Sequence, residues 1–178
     1  MNIKKSRTVE VMTSYDTRAL GWVVSRPNAR GVAQVARVIS RLGDGPLYVV
    51  LGVLLALFEV HSGRSFLAGA LLAFLIELPV YLLLKNLIRR PRPADAIDSL
   101  SAFIQPSDKF SFPSGHTAGA FVMATLLTAY YPLCAPVVYP LAAMVGVSRV
   151  MLGVHFPTDI VAGALLGLSC AFFSLFLF

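Results

Sequence analysis

From Gly45 onward the chain alternates long apolar runs, at 46–60, 66–84, 117–131, 133–150 and 160–178, with stretches that collect its polar residues. With its flanks, each run nears the roughly 17–25 residues a helix needs to cross about 30 Å of hydrocarbon, and the pattern predicts five spanning helices. Runs 46–60 and 117–131 are short alone; Gly45 and His61 extend the first, and residues 114–116 extend the second. Connections 61–65 and 131–132 are tight turns, whereas 85–116 and 148–158 hold nearly all the polar side chains. Strict alternation of spanning helices places both polar connections on one membrane face.

The stretch 1–45 has no apolar run long enough for a signal-peptide core or a span. Leu20, Trp22, Val23 and Val24, then Val32, Val35, Ala36, Val38, Ile39 and Leu42, alternate with Arg18, Arg26, Arg30, Arg37 and Arg41 in helical rhythm, broken at Arg26-Pro27-Asn28. This predicts two short amphipathic helices in the lipid headgroup layer, with a solvated basic tail as the alternative. The expected organisation is an amphipathic basic arm, 1–45, and a membrane-embedded domain, 46–178. The fold class is all-α: a polytopic membrane helical bundle with an interfacial N-terminal arm.

Composition strengthens this picture. Of 178 residues, 57% are hydrophobic and 13% charged, and the mean hydropathy is +0.75; soluble domains run near about 25% charged, so a water-soluble globule is excluded. A net charge of +6 fits nucleic acid, anionic lipid or a phosphorylated substrate. Position decides among them, because from Phe110 to Phe178 the only formally charged side chains are Arg149 and Asp159. No basic face for nucleic acid exists there. Cys134 and Cys170 lie in apolar runs without metal-type spacing and read as small packing residues. Gly115/Gly119 and Gly163/Gly167 read as notches between helices.

An ionisable side chain in or beside a membrane is costly enough that pairing or function is its default explanation, and three clusters qualify. Lys85, Arg89, Arg90 and Arg92 crowd at the end of the second run. They read either as a basic anchor for anionic lipid or as a rigid mount for a ligand-binding arginine, since Pro91 and Pro93 stop the helix around Arg92. Pro113, Ser114, Gly115 and His116 open the third run. A helix N-terminus with glycine makes a phosphate cradle; an ordinary serine cap is the alternative. Ser148, Arg149, His155, Pro157 and Asp159 lie between the fourth and fifth runs. Pro157 as a first helical residue puts Asp159 in the first turn, where it either holds His155 by a hydrogen bond or faces the helix dipole.

All three clusters converge on one face. Two histidines, a carboxylate, several cations and a helix N-terminus imply phosphoryl transfer: cations hold the non-bridging oxygens, one histidine attacks, and the other protonates the departing oxygen. The histidines and acids lack the spacings of a two-metal phosphatase, so neither metal nor other cofactor is expected.

These residues resemble the type 2 phosphatidic acid phosphatases, which share a catalytic core with vanadium haloperoxidases. Lys-x6-Arg-Pro occurs as Lys85, Arg92 and Pro93, Pro-Ser-Gly-His as Pro113 to His116, and Ser-Arg-x5-His-x3-Asp as Ser148, Arg149, His155 and Asp159. The resemblance covers 85–159 by motif and 46–178 by helix pattern, but not the arm. It implies that His155 is a nucleophile forming a phosphohistidine, that Asp159 orients it, and that His116 is the general acid. Lys85, Arg92, Ser114, Gly115 and Arg149 would bind the phosphate. Arg89 and Arg90 match no motif position and read as headgroup contacts or anchors. Larger members have six spans; the arm stands in place of the first.

Glu77, Tyr81 and Lys85 follow at four-residue intervals, a stripe expected to face the bundle interior, with Glu77 protonated or hydrogen-bonded. Asp95, Asp98, Gln105 and Asp108 read as a solvated loop rather than selectivity contacts. Helix ends near the headgroup plane imply a membrane lipid phosphate as substrate: undecaprenyl diphosphate, phosphatidylglycerol phosphate, phosphatidic acid or a lipid A phosphate. A lipid phosphotransferase using the same site, or a non-catalytic lipid-binding protein, are the alternatives. The positive-inside rule would place the basic face in the cytoplasm; the resemblance favours a bacterial inner membrane with the site facing the periplasm.

Overall fold

The computed structural model describes residues 15–18, 20, 21, 29–97, 100–106 and 108–177. Trp22, Val23, Val24, the Arg26-Pro27-Asn28 break and Asp98 lie outside them. Six principal helices follow in order: α1 Ala29–Arg41, α2 Gly45–Phe58, α3 Gly63–Ile88, α4 Gly115–Tyr130, α5 Ala135–Met151 and α6 Pro157–Leu177. Among the described residues there is no strand.

The boundaries follow from local chemistry. Asp44 precedes α2, with proline in its first turn. Arg89, left-handed at φ 48°, ends α3, and Pro157 opens α6. The short turn 131–132 continues into one turn of 3-10 helix, Pro132–Cys134, that feeds α5.

Helix α4 is the centre of the bundle and packs against α3, α5 and α6. Lipid supplies no hydrophobic drive between helices, so close backbone approach has to hold them together. A Cβ on Gly163 would lie 2.5 Å from the Ser114 carbonyl oxygen, and one on Gly167 2.2 Å from that of Ala118. These two glycines are the notches that let α6 touch α4. Phe66, Ala73, Val122, Leu126, Cys170 and Ala171 form the core between α3, α4 and α6. Ser174 donates across it to the Gly69 carbonyl at 2.8 Å. Leu71, Leu75, Leu78 and Leu82 of α3 and Leu165, Phe172 and Phe176 of α6 are exposed on the outer surface, as lipid contact requires.

The five apolar runs are five helices of unequal reach. By length and composition α3, α5 with its preceding turn, and α6 can each cross a membrane, and α1 with α2, bent by 40°, adds a fourth only if the pair counts as one broken span. At 16 residues α4 extends only about 24 Å. Its shelter inside the bundle accounts for its tolerating that length. The protein is a multi-pass membrane protein.

Helix α1 is amphipathic, as its pattern predicts, and it lies against α5. Ala33 and Ala36 pack with Leu152 and Val154, while Val35 and Val38 are exposed. At the far end of the bundle Tyr131 donates to Glu59 at 2.9 Å, joining the two tight turns.

Candidate active site

The polar residues gather where α3 and α5 end and α4 and α6 begin. The Ser114 amide donates to the Asp159 carbonyl at 3.1 Å, pinning the starts of α4 and α6 together, and Val154 N–H donates to the Arg149 carbonyl at 3.2 Å. The loop after α3 returns across the same end, with Ser111 N–H donating to the Arg90 carbonyl at 2.9 Å.

Lys85 and Arg92 share one carboxylate. Asp108 Oδ2 is 2.6 Å from Lys85 Nζ and Asp108 Oδ1 is 2.6 Å from Arg92 Nη2. Both cations are buried. Tyr81 closes the cluster, donating to Asp108 at 3.0 Å and accepting from Lys85. Burial alone would raise the Asp108 carboxyl, but hydrogen bonds from Lys85 and Arg92 hold it at about 2. Arg92 Nη1 also donates to the Val154 carbonyl at 2.6 Å, which sets this guanidinium beside His155.

His155 is buried, and its Nδ1 lies 3.6 Å from Asp159 Oδ2. That is longer than a hydrogen bond, and Nδ1 has no hydrogen-bond partner among the described residues. The same Asp159 oxygen accepts from Phe156 N–H at 2.8 Å. Desolvation pushes His155 down to about 4, against the pull of Asp159 and with help from Arg92 and Arg149. The ring is therefore neutral at physiological pH, as a nucleophile must be.

His116, in the first turn of α4, meets Asp44 through Nε2 at 3.1 Å. Ser114 caps α4, its oxygen accepting from Thr117 N–H at 3.4 Å and lying 2.9 Å from the Thr117 hydroxyl, so the cap reading is realised. Tyr81 packs against Gly115: a Cβ there would meet its ring at 3.0 Å. Buried Arg149 donates from Nη1 to Ser40 at 2.7 Å, and its Nε has no partner among the described residues. Among those residues no three His, Cys, Asp or Glu side chains converge as a metal cage would need.

The structure corrects two expectations. Asp95 and Gln105 are exposed, but Asp108 is no solvated loop residue: the buried cations draw it in. Arg89 is exposed, yet Arg90 is not a headgroup anchor. It is 3% exposed and donates to Asp159 and Thr158 at 2.7 Å and to Asp16 at 2.6 Å. Pro91 offered a sign, since it stiffens the mount of Arg90 as much as that of Arg92. Nothing in the sequence marked Asp108, and Ser40 and Asp44 reach the site from a segment that matched no motif. Glu77 is 5% exposed and faces the bundle interior, on the same stripe as Tyr81 and Lys85.

The chain matches the PAP2 superfamily over residues 63–178. It is 31% identical over 146 residues to a decaprenylphosphoryl-5-phosphoribose phosphatase of Mycobacterium tuberculosis, covering 82% of this chain and 78% of that one. Its fold is similar to Aquifex aeolicus LpxE, with a TM-score of 0.76 and 27% identity over 98% of this chain and 99% of the other. It is also similar to a transmembrane PAP2-type phosphatidylglycerolphosphate phosphatase from Bacillus subtilis, with a TM-score of 0.73 and 26% identity over 97% and 87% of the two chains.

Proposed function

The chain belongs to the PAP2 superfamily, and on that premise we propose that it hydrolyses a phosphomonoester or diphosphate lipid at a bacterial inner membrane, through a phosphohistidine on His155 and without a metal ion. One observation carries the reading: two buried motif cations, Lys85 and Arg92, are already gathered around a single anionic group, the Asp108 carboxylate. A phosphoryl group offers the same pair two oxygens.

In this mechanism Lys85, Arg92, Arg149, the Gly115 amide and the Ser114 hydroxyl hold the non-bridging oxygens and take up the charge that builds on them in the transition state. The free ring nitrogen of neutral His155 attacks phosphorus. As the ring becomes an imidazolium, Asp159 holds Nδ1–H and stabilises the charge. His116 gives its proton to the departing lipid oxygen and then takes one from the water that hydrolyses the phosphohistidine.

The substrate candidates are undecaprenyl diphosphate, phosphatidylglycerol phosphate, phosphatidic acid, a lipid A phosphate and, from the M. tuberculosis relative, a polyprenyl-linked phosphoribose. The site is assigned to the periplasmic face. Since α6 begins at the site and runs to the opposite end, a reporter fused after the C-terminus should then read as cytoplasmic.

The test is phosphate release from these purified lipids in detergent with chelator present, comparing wild type with His155→Ala. The expected result is chelator-resistant activity that falls at least ~10³-fold in the variant, the loss of an attacking group. Activity surviving the substitution, or collapsing with chelator, would contradict the mechanism.

A further inference from the structure

Behind His155 lies a second buried ionic group, of which only Asp159 belongs to a motif. Asp16, from the helical residues 15–18, is 2% exposed, Arg90 is 3% exposed and Asp159 is fully buried. Arg90 bridges the two carboxylates, with Nη2 2.6 Å from Asp16 and Nη1 2.7 Å from Asp159 Oδ1. Thr158, next to Asp159, is tied to both sides: its N–H donates to Asp16 Oδ1 at 3.1 Å, its hydroxyl donates to Asp16 Oδ2, and its oxygen accepts from Arg90 at 2.7 Å. The Arg90 guanidinium also lies 4.1 Å from the centre of the Phe156 ring, so it braces the residue between His155 and the turn that carries Asp159. Leu20, fully buried with Leu100, Val150 and Phe156, anchors the same N-terminal segment.

We propose that Asp16 and Arg90 are positioning residues for the nucleophile, acting through Asp159. The inference rests on the reading of His155 as the attacking group. Two physical effects combine. Geometrically, Arg90 holds Oδ1 of Asp159, which leaves Oδ2 directed at His155 Nδ1. Electrostatically, a buried arginine facing Asp159 alone would cancel its charge and leave the developing imidazolium without a counter-charge. Asp16 balances Arg90, and the trio Asp16–Arg90–Asp159 keeps a net negative charge beside the ring. A segment N-terminal to all three motifs thereby sets the power of the nucleophile.

The test is a double-mutant cycle on the full chain in detergent: wild type, Asp16→Asn, Asp159→Asn and the pair, with kcat and KM for the most active lipid phosphate and thermal unfolding of each. Asn in place of Asp16 removes the balancing charge and points an amide N–H at Arg90. The expected result is a kcat about tenfold lower with KM changed less than twofold, partial recovery in Asp16→Glu, and less than a twofold effect when Asp16→Asn is added to Asp159→Asn. A folded Asp16→Asn variant with the same fold-loss in both backgrounds, or with kcat unchanged, overturns the proposal. Arg90→Lys keeps the buried charge but cannot bridge two carboxylates; read in the same two backgrounds, it decides the matter by the same criterion if Asp16→Asn does not fold. The two readings fail separately: active His155→Ala removes the nucleophile assignment, whereas inactive His155→Ala with an additive cycle removes only the role of Asp16 and Arg90.

Discussion

The Asp108 carboxylate lies 2.6 Å from the Lys85 ammonium, in the place where an anionic ligand of that cation would sit. A bound phosphate has to displace it or share the cations with it. Asp108→Asn should therefore tighten inhibition by inorganic phosphate by about tenfold, the range expected when a competing charge is removed. Because the carboxyl is held at about 2, the competitor stays ionised at every working pH, and the gain should be present throughout pH 5 to 8. Its contribution to stability is present above the ordinary carboxylate range and is lost only as pH falls through about 2. An unchanged inhibition constant would place Asp108 outside the ligand's position.

His155 gives the protein an acid-sensitive stability. The unfolded imidazole takes up a proton below 6.5, whereas the folded ring resists it down to about 4. The stability of the neutral buried ring is thus full above pH 6.5 and declines as pH falls through that window, by up to about 3 kcal/mol. Thermal unfolding from pH 8 to 4.5 should show wild type losing stability relative to His155→Asn. Parallel curves for the two proteins would argue that the ring is accessible to protons.

Asp44 holds His116, the proposed general acid. Its carboxylate is 3.1 Å from His116 Nε2 and should keep the ring oriented for proton transfer. Asp44→Asn should slow an alkyl phosphate substrate by about tenfold, yet slow p-nitrophenyl phosphate less than twofold, because a good leaving group needs little proton assistance. Equal losses on both substrates would mean that Asp44 serves the fold alone.

The contact between α4 and α6 should tolerate no added methyl. Gly167→Ala brings a carbon to 2.2 Å from the Ala118 carbonyl oxygen and should destabilise the protein by about 1–3 kcal/mol or more, read as a lowered unfolding temperature in detergent. Gly163→Ala, aimed at the Ser114 carbonyl at 2.5 Å, should also cost activity, since Ser114 and Asp159 are set by that same contact.

Much of this was legible in one dimension. Apolar runs marked the helices, Pro157 placed Asp159 in the first turn of α6, and the alternation of spans brought Lys85, Ser114, Arg149 and His155 to one end. What the pattern could not carry was pairing. Arg90 and Arg92 are two positions apart in the same proline-braced segment, yet one faces Asp159 and the other Asp108; only tertiary packing separates them. Asp108 looks like any loop acid until two buried cations need neutralising. The reach of α1 was hidden for a similar reason: amphipathic periodicity marks a helix with one covered face, and only packing shows that Ala33 and Ala36 of that face meet Leu152 and Val154.

Asp16, Ser40 and Asp44 each touch a residue of the proposed site or its support, and all three precede residue 63, where the match to the PAP2 superfamily begins. The stretch that carries the family match therefore stops short of three residues that touch the proposed site. A chain cut back to 63–178 would retain all three motifs and still leave Arg90 facing Asp159 alone, Arg149 without its serine and His116 without its carboxylate. Borrowed onto another protein, that fragment would be a recognisable relative and a crippled catalyst.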